Sequence, residues 1–292
     1  MDQRWVGIGS GLLAALIWGG FPVMTRLGVA HSSLDPYDVT FIRFAVSGAL
    51  LLPILLRRSV GKIAIWPSVL MVTGIGAPYM LVVTAGLGLA PVGLFAILTP
   101  GSMIAFAAVL GAVIMKEQLS VPQKIGIATI LIGVGITGYN ELESISGGAE
   151  ATTLFLFGGL LWAIYTVTTR AFATEAFMAT AIVSVGSGLT YGPVYLALKG
   201  AALFHAPWRE IVVQGVYQGV LVSVLALYFY SKSVSILGPT VGATFAALVP
   251  VLAVIEAALL LGEWPHPIAL VGLAIVTCGM IVSLVRPRSP GH

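Results

Sequence analysis

The sequence has very little charge. Only 9% of its 292 residues are Asp, Glu, Lys or Arg, whereas 58% are hydrophobic. A soluble domain carries about 25% charged residues, so this chain has too few charges to cover a water-exposed surface of its size. We therefore predict a membrane protein. The sequence also lacks the basic stripe that nucleic-acid binding would need.

Cysteine and histidine are also scarce. The single cysteine, Cys278, lies in an apolar run and has no partner for an intrachain disulfide. The four histidines lie in predicted loops or at the terminus, and none forms an H-E-x-x-H pair, so we expect no metal site and no cofactor. A G-x-G-x-x-G pattern at 133–138 lies inside a predicted span without a preceding strand, and no Ser-His-Asp set shares one depth. We therefore expect no enzymatic activity.

Apolar runs long enough to cross a bilayer, about 20 residues each, recur along the whole chain. They predict an all-α polytopic membrane protein with ten spans, numbered 1 to 10 in chain order: 5–27, 36–56, 66–88, 91–115, 121–139, 152–172, 177–198, 210–231, 239–261 and 266–285. The polar stretch NELESISGGAE falls at the midpoint. We predict an N-terminal five-helix repeat at 1–139, a linker at 140–151 and a C-terminal five-helix repeat at 152–292.

The orientation follows from Lys and Arg, which collect on the cytoplasmic side of membrane proteins. If the N-terminus is cytoplasmic, the cytoplasmic set is Arg4, Arg57, Arg58, Lys62, Lys116, Lys124, Arg170, Lys232, Arg286 and Arg288. The outer set is only Arg26, Lys199 and Arg209. Both termini are therefore predicted to be cytoplasmic.

One sequence segment occurs in two similar copies, ALIWGGFPVMTR at 15–26 and GLLWAIYTVTTR at 159–170. Glu117 and Glu263 likewise each close the fourth span of a half. Glycines repeat after them, at Gly126 and Gly133 in span 5 and at Gly272 and Gly279 in span 10. Because five is odd, the second copy must enter the membrane from the opposite side. Inverted repeats of this kind are typical of secondary transporters; a gene duplication without a transport role is the alternative.

This organisation resembles the drug/metabolite transporter superfamily, of the EamA type, over essentially the whole chain. Within it, Trp-Ala-x-Tyr-x-Val-x-Thr at 162–169 and Pro-Gly-Ser-Met at 100–103 resemble the bacterial amino-acid exporters, including the aromatic branch. The resemblance implies export from the cytoplasm across a bacterial inner membrane.

Two ionisable residues lie well inside predicted spans, Arg43 in span 2 and Glu256 in span 9. Such groups are costly in a bilayer and mark functional sites. The helical rise places them about 12 Å and about 10 Å from the outer ends of their spans, so we expect them to face each other or a shared wet cavity. Arg43 would anchor a substrate carboxylate and Glu256 would be a proton site. A structural ion pair is the alternative, and a facilitator without proton coupling stays open.

Aromatic and polar side chains near mid-depth predict a central aromatic-lined cavity, with helix packing as the alternative for each residue. The predicted cavity residues, besides Arg43, are Trp18, Tyr79, Thr99, Trp162, Tyr165, Tyr217 and Gln218.

The prolines predict where the helices bend or break, because each proline removes a backbone hydrogen bond from its helix. Pro100 and Gly101 in span 4 and Pro250 in span 9 are the predicted hinges or helix breaks, with a passive kink as the alternative. Pro100 lies 17 residues before Glu117, whereas Pro250 lies 13 before Glu263, so the two halves depart from exact symmetry here.

The sequence thus predicts a secondary transporter that exports amino acids, aromatic or other hydrophobic ones, and similar small metabolites by alternating access. The alternatives are a proton-driven multidrug or metabolite efflux protein, a passive pore, and a structural or lipid-handling membrane protein without transport. The expected partners are a small-molecule substrate and the lipid bilayer, and no nucleic acid. The oligomeric state is left open, with a monomer as one option.

Overall fold

The computed structural model describes residues 3–57, 65–144 and 147–284, without the side chains of 140–144, 239 and 240. Every predicted span is helical in this part of the chain. Spans 1, 2, 4, 5, 6, 7, 9 and 10 are the helices Gln3–Ala30, Pro36–Arg57, Val92–Ile114, Val121–Ser144, Gly148–Ala171, Ala176–Lys199, Pro239–Leu261 and Pro267–Ser283. Span 3 consists of Ile65–Ile75 and Ala77–Leu89, and span 8 of Trp208–Gln214, Gly215–Leu225 and Ala226–Leu237. A short 3-10 turn, Ala202–His205, precedes span 8.

Length and composition confirm the predicted membrane class. Among the described residues, nine helical segments are long and apolar enough to cross a membrane, and the tenth span, Pro267–Ser283, has 17 residues. The chain is an all-α multi-pass membrane protein. Four of the basic residues used to orient it lie outside the described residues, namely Arg58, Lys62, Arg286 and Arg288, and the orientation stays a prediction.

The predicted linker at 140–151 is shorter in the structure. Span 5 continues to Ser144 and span 6 begins at Gly148, because Glu and Leu in NELES favour helix. Gly147, whose φ is 86°, precedes span 6 in the left-handed region that suits glycine. The division of the chain into two repeats at this point stays a prediction.

Eight spans form a ring in which each packs on its two neighbours, in the order 1, 8, 2, 7, 3, 6, 4, 9 and back to 1. Spans 5 and 10 lie outside the ring and pack on each other, beside spans 4 and 9. Exchanging the halves leaves this order unchanged, since span 1 corresponds to span 6, span 2 to span 7, and so on. This is the packing that an inverted repeat predicts.

The irregular helices are spans 3 and 8, which correspond to each other. Span 3 is interrupted at Gly76, where ψ is −148° and Pro78 follows in the next helix. The Ser187 hydroxyl of span 7 accepts a hydrogen bond of 3.1 Å from the Ala77 N–H at this interruption. In span 8 the stretch Gly215–Leu225 is π-helical, a geometry that frequently accompanies functional sites.

Spans 4 and 9 instead continue as helices through Pro100 and Pro250, so the predicted helix breaks are not found there. One missing N–H kinks a helix without ending it when neighbouring spans pack on both sides. Gly101 lies against span 5, since a Cβ built on it would be 2.7 Å from Val134 Cγ2. The role of these residues as hinges stays a prediction.

Spans 5 and 10 meet at four glycines. A Cβ built on Gly126 would lie 2.6 Å from the Gly279 carbonyl oxygen, and one on Gly279 would lie 2.8 Å from that of Gly126. Gly133 and Gly272 approach each other in the same reciprocal way, at 3.0 and 3.3 Å. Small residues let membrane helices come this close. Because Gly126 repeats as Gly272 and Gly133 as Gly279, this crossed pairing is what a twofold relation requires.

We predict that Gly279→Ala destabilises the protein by about 1–3 kcal/mol through overpacking, because two of the three nearest atoms, the Gly126 carbonyl oxygen and the Ile130 amide nitrogen of span 5, are backbone atoms that cannot rotate away. The measurement is the thermal unfolding midpoint in detergent, followed by tryptophan fluorescence. Gly135→Ala is the matched control, since nothing lies within 4 Å of a Cβ at that glycine. Equal midpoints for the two variants would contradict the packing described.

Candidate functional site

An ion pair joins the two halves at one end of the bundle. Arg26 Nε donates to Glu263 Oε1 at 2.6 Å, and Arg26 Nη1 donates to the Leu87 carbonyl oxygen at 2.6 Å. The second carboxylate oxygen of Glu263 accepts from the Val92 N–H at 2.9 Å. Both charged side chains are only 15% exposed. The pair therefore links spans 1 and 9 to the turn between spans 3 and 4.

The equivalent ion pair lies at the opposite end. Arg170 is the last residue of the second copy of the repeated segment. Its Nη2 donates to Glu117 Oε1. Here the side chains are 50% and 31% exposed. All four residues are repeated in the sequence, but the repeat alone does not pair each arginine with the glutamate of the other half.

Further polar contacts between the halves lie at the Arg26 end. They are Lys199 to Asp35, Ser33 to Glu210 and Tyr195 to Asp38. Burial alone would raise the pKa of Asp35, but the hydrogen bond from Lys199 and those from nearby backbone N–H groups outweigh it, so the pKa lies below its ordinary value. These contacts add to the closure of this end.

The second half of span 3 also closes the Arg26 end, because Ala77–Leu89 packs across the ring on spans 1 and 2. Its counterpart in span 8, Ala226–Leu237, packs on the adjacent spans 1 and 9 and, within the described chain, has no comparable packing on spans 6 and 7. The bundle is therefore closed more completely at the Arg26 end than at the Arg170 end.

Arg43 lies between spans 1, 2 and 8. Its Nη1 donates to Gln218 Oε1 at 3.0 Å, and Gln218 Nε2 donates to Thr25 Oγ1 at 2.9 Å. The guanidinium carbon is 5.1 Å from the centre of the Phe21 ring and 5.7 Å from that of Phe44, within the range of cation–π attraction. Arg43 Nε is buried without a hydrogen-bond partner. A buried donor left unpaired is costly, so this N–H is available to an anionic ligand.

Glu256 lies against span 1. Its Oε2 would be 2.7 Å from a Cβ built on Gly20, and its Oε1 is buried without a hydrogen-bond partner. The Tyr217 hydroxyl approaches the same glycine and donates to the Ile17 carbonyl oxygen at 3.1 Å. Only a residue without a side chain leaves room for both groups, and this close approach explains Gly20.

Arg43 and Glu256 form no ion pair within the described residues. Arg43 contacts Phe21, whereas Glu256 contacts Gly20, the preceding residue of the same helix. Consecutive helical residues point about 100° apart, so the two charges approach span 1 from different directions. The alternative of a structural ion pair is therefore not found here, and a cavity shared by the two residues stays a prediction.

The repeated tryptophans pack on tyrosines of equivalent spans. Trp162 meets Tyr79 of span 3 edge to face with ring centres 6.0 Å apart, and Trp18 meets Tyr230 of span 8 at 5.2 Å. The structure thus brings Tyr79 and Trp162 together but places Trp18 with a different tyrosine. Tyr230 was not among the predicted cavity residues, although exchange of the halves relates its contact with Trp18 to that of Tyr79 with Trp162.

The other predicted cavity residues have packing contacts. Thr99 is fully buried and donates to the Phe155 carbonyl oxygen of span 6 at 3.1 Å. Tyr165 lies against Gly74 of span 3, where its Cβ is 2.7 Å from a Cβ built on that glycine. Tyr217 and Gln218 face span 1 as described, as does Gln214, which donates to the Met24 carbonyl oxygen at 2.6 Å. Among all described residues, no group of His, Cys, Asp and Glu could hold a metal ion.

Comparison with known proteins gives one family. The sequence profile described as "EamA-like transporter family" matches the chain twice, at residues 5–139 and 151–285. The "Uncharacterized inner membrane transporter YedA" of Escherichia coli (strain K12) is 26% identical over 276 residues, covering 91% of this chain and 87% of that protein.

A second relative is the "Probable terminal-alkyne amino-acid exporter" of Streptantibioticus cattleyicolor, 27% identical over 295 residues, with 96% of this chain and 93% of that protein covered. Among solved structures, one crystal structure of a protein matches with a TM-score of 0.57 at 21% identity, covering 94% of this chain and 95% of that chain. This likeness supports the fold.

We predict that Arg43 and Gln218 are energetically coupled. Gln218→Leu leaves a charged N–H without its acceptor and should cost about 1–3 kcal/mol or more. Adding Arg43→Met should recover part of this loss, because replacing both partners with apolar groups removes the unpaired charge. The measurement is a double-mutant cycle on the unfolding free energy in detergent.

Val216→Leu is the control for this cycle, because Val216 is exposed on the same π-helical stretch. It should leave the unfolding free energy within experimental error of wild type. Additive losses in the double variant would contradict the contact between Arg43 and Gln218.

Proposed function

Since the chain belongs to the EamA-like transporter family, a family of multi-pass membrane transporters, we propose that it exports amino acids across a bacterial inner membrane. Two relatives support this in different ways. One is named an inner membrane transporter, and the other is named a probable amino-acid exporter.

The observation that carries the substrate class is the unpaired Arg43 Nε. A guanidinium held from one side by Gln218, with one buried N–H free, suits a carboxylate, which accepts hydrogen bonds from arginine in a planar geometry. We propose that this carboxylate belongs to the substrate. The Tyr79–Trp162 pair would then contact the aromatic or aliphatic side chain of the amino acid.

Movement is proposed to follow alternating access between the halves, with both termini in the cytoplasm and the Arg26 end outside. We propose that the structure is the state in which substrate enters from the cytoplasm, and the more complete closure of the Arg26 end supports this. In this proposal, the helices bend at Pro100, Gly101 and Pro250, which act as hinges.

We predict that proteoliposomes containing the protein release labelled amino acids in a saturable way. An excess of the same unlabelled amino acid should compete with this efflux. Arg43→Gln should raise the KM for amino acids roughly tenfold or more, because a charge-assisted hydrogen bond is lost. It should leave flux of the corresponding amines, which lack the carboxylate, unchanged.

Arg209→Gln serves as the control, because it removes an exposed cation at the Arg26 end. Its KM should equal that of wild type. Absence of amino-acid flux in folded protein would overturn the substrate assignment in favour of efflux of drugs or other metabolites, the second candidate.

Glu256 is proposed as the site of proton coupling, because its Oε1 is buried and has no partner. We expect wild-type efflux to respond to an imposed pH gradient. Glu256→Gln should lose this response, because the glutamine amide does not bind a proton at the pH values of the experiment. Amino-acid exchange at equal pH on both sides should persist in the variant. If wild-type flux ignores the gradient, the protein is a facilitator and the coupling role of Glu256 is wrong.

A further inference from the structure

The two equivalent ion pairs are in different environments. Arg26 and Glu263 are largely buried and also hold backbone groups of the turn between spans 3 and 4. Arg170 and Glu117 are far more exposed. We propose that the two pairs alternate, so that each one in turn closes its own end of the bundle while the other becomes exposed.

The repeat identifies what the exposed pair would hold in the other state. The turn held by Arg26 and Glu263 contains Leu-Ala-Pro at 89–91, and the turn between spans 8 and 9 contains Leu-Gly-Pro at 237–239. The two turns are equivalent under exchange of the halves. In the alternate state, Arg170 and Glu117 bind backbone groups of the 237–239 turn.

Glu117 is not engaged in this way in the present structure. Its Oε2 lies over the end of span 4, which it follows in the chain, 2.9 Å from a Cβ built on Gly111, whereas the second oxygen of Glu263 accepts from the Val92 N–H at the facing turn. Movement of Ala226–Leu237 across the ring toward spans 6 and 7 would bring the turn to Glu117, as Ala77–Leu89 already lies on spans 1 and 2.

The exposure of each ion pair also determines which conformational state that pair stabilises. An exposed ion pair contributes little to stability, whereas loss of one partner from a buried pair leaves an uncompensated charge. Removing Arg26 therefore destabilises the present state, and removing Arg170 destabilises the alternate state. A ligand or substitution shifts the equilibrium only by such a difference between the states.

Two cysteine reporters test this proposal in purified protein that carries Cys278→Ser. Ala90→Cys lies in the turn held by Arg26 and Glu263, where the native side chain is fully buried. Ser235→Cys lies near the opposite turn, where the native side chain is exposed. In the otherwise wild-type protein, maleimide should label Ala90→Cys slowly and Ser235→Cys rapidly.

Arg26→Gln should raise the labelling rate of Ala90→Cys by about tenfold or more and lower that of Ser235→Cys. Glu263→Gln should shift both rates in the same directions, which provides a second variant if the first folds poorly. Arg170→Gln should leave Ala90→Cys slow. Arg209→Gln is the matched control at the Arg26 end and should leave both rates unchanged.

Opposite changes at the two reporters are the signature of alternation. If Arg26→Gln accelerates both reporters, the pair only stabilises the fold and the proposal is overturned. If neither rate changes, the pair does not close this end and the proposal is equally wrong. None of these measurements requires the substrate to be known.

Discussion

The bilayer imposes the constraint on which this structure depends. A polar group in hydrocarbon must find its partner inside the protein, and this chain has few such groups. The polar contacts between different spans therefore join particular helices. Gln218 connects spans 1, 2 and 8 through Thr25 and Arg43, and the Arg26–Glu263 pair connects spans 1 and 9 with the turn before span 4. Close contacts between glycines do the same for spans 5 and 10, where the backbones at Gly126 and Gly279 meet directly.

The sequence predicted the architecture well, because length and hydropathy determine a membrane span almost alone. All ten spans were located, and the packing order agrees with the exchange of halves that the repeated glycines and glutamates predict. Helix ends were less accurate. Glu and Leu in NELES extend span 5 as a helix beyond the predicted boundary, since polar composition alone does not separate a helix end from a loop.

The candidate site was predicted by depth but not by direction. Depth placed Arg43 and Glu256 at one level, and it could not tell which side of span 1 each side chain approaches. That direction depends on rotation of each helix about its axis, which packing contacts such as those at Gly20 and Phe21 determine. The helix breaks were predicted at Pro100 and Pro250 because proline removes a backbone hydrogen bond, whereas Gly76 and the π-helical stretch of span 8 carry the distortions.

A repeated sequence in an unsymmetrical structure has a further consequence. If both halves had the same conformation, the two ion pairs would have similar exposure, and the second half of span 8 would pack across the ring as that of span 3 does. Neither of these two expectations is met. The halves therefore differ in conformation, although the residues that form their contacts correspond. Exchanging the two conformations gives a second arrangement with the same types of contact and the opposite end closed. Two such states of similar free energy are what the proposed alternating access needs. Under that proposal, the departures from exact repetition, such as the different spacing of Pro100 and Pro250 from their glutamates, would determine which of the two is favoured.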